Sequence, residues 1–82
     1  MMMTVFDYEV YAKGDKVAGF EDLQLAAEYA KSRSAKDHCN AVVINAFTGE
    51  LLYEANAICH LTVKNGETIE KNYKVVEEWV GA

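Results

Sequence analysis

Residues Leu51 to Val63 read L-L-Y-E-A-N-A-I-C-H-L-T-V. Leu51, Tyr53, Ala55, Ala57, Cys59, Leu61 and Val63 are apolar at every odd position, while Glu54, Asn56, His60 and Thr62 fall among the even ones. Successive side chains of a strand point to opposite faces, so a period of two held this long marks a half-buried strand. A strand of this length spans about 40 Å, and a bend near Ala55 to Ala57 is expected. Thr48-Gly49 and Asn65-Gly66 flank it, the two clearest turn signals in the chain. Each folds a neighbour back, which makes this strand the centre of a three-stranded antiparallel meander.

The preceding neighbour is Asn40 to Phe47. A turn through Thr48-Gly49 with Phe47 opposite Glu50 places Ala46 across from Leu51, Ile44 from Tyr53 and Val42 from Ala55, all apolar and on one face. On the other side, a three-residue loop Lys64-Asn65-Gly66 with left-handed Gly66 sets Leu61 opposite Ile69 and Ala57 opposite Tyr73. From Thr68 onward two patterns compete. As a strand, Ile69, Tyr73, Val75 and Trp79 share a face; as a helix, Ile69, Tyr73, Val76 and Val80 form a stripe. Asn-Gly followed by Thr-Ile is hairpin chemistry, and a strand to about Val76 is preferred.

Before the meander, Thr4 to Ala12 alternates and reads as a first strand, with Lys13-Gly14-Asp15 as a turn and Lys16 to Phe20 as a brief return strand. Asp22 to Asp37 switches to helical spacing, with Leu23, Ala26, Ala27, Ala30 and Ser34 on one stripe. Asp22 is the expected N-cap. The fold class is therefore α+β: one helix packed on a curved antiparallel sheet in the order ββαβββ, with a second helix as the competing form of the last strand.

The 82 residues make a single domain, 1–82, with a small core. Thirteen acidic residues against eight basic ones give a net charge of −5, a balance that opposes direct binding to nucleic acid or anionic membranes. No apolar run has the length of a membrane span and no basic-then-apolar start resembles a secretory signal, so a cytoplasmic location is expected. Cys39 and Cys59 fit a reducing compartment.

His38-Cys39 and Cys59-His60 supply the residue types of a zinc site, but adjacent residues of a strand face apart and no metal-ligand spacing is present. No metal and no cofactor are expected. Cys59 reads as a small core residue and Cys39 as an unremarkable thiol. A Cys-His nucleophile pair, with Asp37 or Glu54 as the orienting carboxylate, would need a pocket beside the core, which so short a chain has little material to build. The chain carries no phosphate loop and no nucleophile elbow. An enzyme is not expected.

By parity the sheet face turned away from the helix carries Val43, Asn45, Phe47, Leu52, Glu54, Asn56, Ile58, His60 and Thr62. Val43, Phe47, Leu52 and Ile58, rimmed by Glu54 and His60, form the candidate protein-binding surface. The segments V-A-G-F-E-D-L-Q-L-A-A-E-Y-A, A-V-V-I-N and T-G-E-L-L-Y-E, within residues 17–54, resemble a strand-helix-hairpin pattern found in small proteins of bacteriophages and mobile elements, a group that includes some anti-CRISPR inhibitors. The resemblance implies a small inhibitor that occupies a surface of a larger nucleic-acid-processing complex, and assigns no functional residue. The expectation is a small acidic, non-enzymatic protein-binding module whose partner is a host complex or a second copy in a homodimer.

Overall fold

The computed structural model describes residues 6–80. Strands β1 (Tyr8–Ala12) and β2 (Asp15–Phe20) form a hairpin, helix α1 (Leu23–Asp37) follows, and β3 (Asn40–Asn45), β4 (Leu51–Lys64) and β5 (Glu67–Trp79) complete one antiparallel sheet of order β2-β1-β3-β4-β5. The ββαβββ order and the α+β class are those read from the sequence, and the final segment is a strand. Thr4, expected at the start of β1, lies outside the described residues.

Helix α1 starts where Asp22 accepts hydrogen bonds at Oδ1 from the amides of Gln24 (2.8 Å) and Leu25 (3.3 Å). It ends at His38, whose left-handed backbone (φ 51°) sends its N–H to the Ser34 carbonyl. The buried Ser34 hydroxyl donates to the Cys39 carbonyl at 2.6 Å, tying the helix end to the head of β3. Alanines line the contact from both sides: Ala26, Ala27 and Ala30 on the helix face Ala12, Ala41 and Ala55 on the sheet. With no long side chain between them the two layers approach closely, and only Val10, Val43 and Tyr53 add larger apolar volume to the buried core.

The observed register differs from the expected one on both sides of β4. Asn45 rather than Phe47 closes the β3–β4 turn, its N–H donating to the Glu50 carbonyl at 2.8 Å. The Asn45 side chain accepts from the amides of Phe47 (2.8 Å) and Thr48 (3.1 Å), an Asx turn that draws Ala46 to Gly49 into a four-residue loop. Leu52 is then left over between the pairs Ile44–Leu51 and Val43–Tyr53, a bulge that sets the register for Ala41–Ala55. At the far turn, Asn65 (φ 54°) and Gly66 (φ 80°) form a two-residue loop of the I′ kind between Lys64 and Glu67, not the expected three-residue loop. Ile69 becomes the bulged residue, and beyond it Leu61 faces Lys71, Cys59 faces Tyr73 and Ala57 faces Val75.

Lengths decide the shape. A helix of fifteen residues covers about 22 Å, whereas a strand of fourteen runs about 46 Å. The helix and β3 therefore reach only the first half of β4, and the rest of the β4–β5 hairpin projects as a two-stranded arm. The chain is 62 Å long and its radius of gyration is 15.6 Å, above the roughly 12 Å of a compact domain this size.

Candidate protein-interaction surface

Helix α1 packs on one side of the sheet, on Val10, Ala12, Ala41, Val43, Tyr53 and Ala55. The opposite side has no second layer among the described residues. Its rows follow from the pairing: Tyr11 beside Val42, Val42 beside Glu54, and Glu54 beside Glu78; then Asn40, Asn56 and Val76; then Ile58 and Lys74. Val42, Ile44, Leu51 and Leu52 are half-buried, while Ile58 (41% exposed) and the diagonally placed Val76 (45%) stand open. At the β1–β2 end the Phe6 ring lies over Gly19, so close that a Cβ there would sit 2.5 Å from the ring. Gly19 is the residue that allows this approach.

Of the sequence-derived candidates, Leu52, Glu54, Ile58 and His60 occupy the open side or its extension along the arm. Val43 does not. It is fully buried against Val10 and Tyr53 on the helix side, because the bulge at Leu52 leaves the β3–β4 pairing one residue away from the expected register and reverses the parity of β3. Phe47 is 69% exposed but belongs to the loop, not to the sheet, and the expected cluster of Val43, Phe47 and Leu52 does not form. Tyr11, Val42, Ile44 and Val76 take its place. The expected register had put Val42 and Ile44 on the helix side, although Asn45, an Asx-turn former two residues ahead of Phe47, was a signal that β3 stops early.

The core assignment of Cys59 does not hold. Cys59 is exposed on the arm, beyond the reach of the helix, whereas Cys39 is half-buried against the core, its sulfur 4.0 Å from the Arg33 carbonyl oxygen. Among the described residues no group of three or more His, Cys, Asp or Glu side chains is placed to hold a metal ion, and no pocket is formed.

Polar contacts on the helix side fix the arm's base. The Tyr53 hydroxyl donates to Glu77 Oε1 at 2.6 Å, and Lys31 Nζ lies 3.3 Å from Glu77 Oε2. These two neighbours hold the Glu77 carboxyl below its ordinary range, the hydrogen bond from Tyr53 contributing most, while burial and the same bond push the Tyr53 phenol upward. Trp79 leans on the Tyr53 ring at 4.7 Å. Further out the arm is bare: Leu61, Val63 and Ile69 are each more than half exposed.

Set against known protein families, curated proteins and solved structures, the chain matches none of them. No helix among the described residues is long and apolar enough to cross a membrane.

Proposed function

We propose that this chain is a non-enzymatic protein-binding module of the cytosol whose contact surface is the open side of the sheet and the adjoining arm. The observation that carries the reading is the set of apolar residues Tyr11, Val42, Ile44, Leu52, Ile58 and Val76, partly or fully exposed on a face that no helix among the described residues overlies. Partly and fully exposed apolar groups gathered on one face, with charge set among them, suit a protein contact, since a partner that completes the burial of a large side chain recovers up to about 1.5 to 3 kcal/mol. Glu54 and Glu78 stand side by side at its centre, where like charges oppose each other across paired strands. A partner surface with a basic centre flanked by apolar groups fits both features.

The narrower form of the reading is an inhibitor of a nucleic-acid-processing complex, in the manner of anti-CRISPR proteins. It draws support from the resemblance in residues 17–54 and from the preference of the acidic pair for a basic partner. Recovery of partners from host lysate with the tagged chain tests both forms. A nuclease or its complex co-purifying, with its cleavage activity reduced by added protein, supports the narrower one. Absence of any partner held through the open face contradicts both.

A further inference from the structure

Among the described residues the sheet has a third open edge besides those of β2 and β5. Strand β3 begins at Asn40, opposite Asn56, so from Ala57 to Val63 no described strand pairs with that side of β4. Backbone groups of alternate residues in a strand point to opposite edges. The Leu52 carbonyl accepts from the Val80 amide at 2.9 Å on the β5 side, which assigns the even-numbered residues of β4 to β5. The N–H and C=O groups of Ala57, Cys59, Leu61 and Val63 therefore face the open side.

The other edges are protected by charge. β5 carries Glu67, Glu70, Lys71, Lys74, Glu77 and Glu78, and β2 is short and opens with Asp15 and Lys16. The segment Ala57 to Val63, A-I-C-H-L-T-V, has no Asp, Glu, Lys or Arg at all. An uncharged strand rich in β-formers, with unpaired backbone groups along it, is the kind of edge that pairs with another strand. An isolated two-stranded ribbon is also marginal in water, and a third strand beside the arm would relieve this.

We propose that this edge pairs antiparallel with the same edge of a second copy, joining two five-stranded sheets into one. A strand and its own copy meet about a two-fold axis, and the segment is neutral, so no like charges oppose each other. Pairing centred on Leu61 sets Leu61 opposite its own copy and Cys59 opposite Val63, each with backbone groups aimed across the junction. In this register the incoming Lys64 stops opposite Ile58, short of Asn40 at the head of β3. The dimer leaves the open side of both sheets free.

Sedimentation equilibrium of the unaltered chain is expected to give twice the 9.2 kDa single-chain mass by about 100 µM. A single-chain mass throughout overturns the proposal; if that monomer still captures a protein through its open side, the proposed function stands without it. Leu61→Lys and Leu61→Glu should each weaken self-association at least tenfold, because like charges then meet on the axis, and an equimolar mixture of the two should recover dimer. Both variants remaining dimeric alone overturns the edge and its register. A Val63→Cys, Cys39→Ser chain tests the contact without adding charge: oxidation is expected to link Cys59 of one copy to the new thiol of the other, and a dimer that yields no such cross-link contradicts the pairing.

Discussion

The imidazole of His38 lies flat on the ring of Tyr73, with centroids 3.6 Å apart and planes within 5° of parallel. His38 is the last link of the helix and Tyr73 stands on β5 where the arm leaves the body, so this stack joins the two at the limit of the helix's reach. The Lys71 ammonium, 5.6 Å from the Tyr73 ring, adds a cation to the same aromatic group.

His38 holds a left-handed backbone, which separates two contributions. His38→Ala keeps the strain and loses the stack, and should cost about 0.5 to 1.5 kcal/mol. His38→Gly loses the stack but relieves strain of about 1 kcal/mol, and should melt close to the unaltered chain. In a double-mutant cycle, Tyr73→Ala should cost less in the His38→Ala background than alone.

The second prediction concerns acid. The Glu77 carboxyl is held below its ordinary value in the folded chain, so its contribution is present above that ordinary value, near 4.5, and is lost as pH falls through the folded value. Denaturant midpoints should fall between about pH 5 and pH 3, and Glu77→Gln should flatten part of that fall. Tyr53→Phe removes the larger stabilising contact, and the Glu77 carboxyl followed by NMR should then titrate at a higher pH.

Gly66 tests whether the arm is a separate unit. Its φ of 80° suits few L side chains, and Gly66→Val should loosen the hairpin end. Amide exchange should quicken from about His60 to Asn72 while the amides of Val43 and Tyr53 keep their protection. Equal acceleration in both regions would show that the arm and body open together.

The thiols give a fourth expectation. A thiol reagent at neutral pH should modify Cys59 in the folded chain well before Cys39, whose side chain packs on the core. The reverse order would restore the core assignment that alternation in β4 implied.

Element order and the helix were legible because both rest on local chemistry. The alternation of β4, the Asp22 cap and the alanine stripe of α1 each speak through neighbouring residues. Register was not, because it depends on how a loop closes and where a strand bulges: one Asn45 side chain converts a two-residue turn into four, and the extra residue Leu52 then sends Val43 from the open side to the core. The exposure of Cys59 and Leu61 was implicit in arithmetic that alternation ignores, since a fifteen-residue helix cannot cover a fourteen-residue strand. The open side of β1 and β3 came into view only once the pairing was known.

The open side itself is tested by capture titrations with the Ile58→Glu, Val76→Lys double variant. Both positions are exposed and outside the buried core, so the variant should melt like the unaltered chain, as surface changes usually do. Its affinity for the protein recovered from host lysate should fall at least tenfold. A folded double variant that binds the recovered partner as tightly as the unaltered chain would contradict the open side as the functional surface.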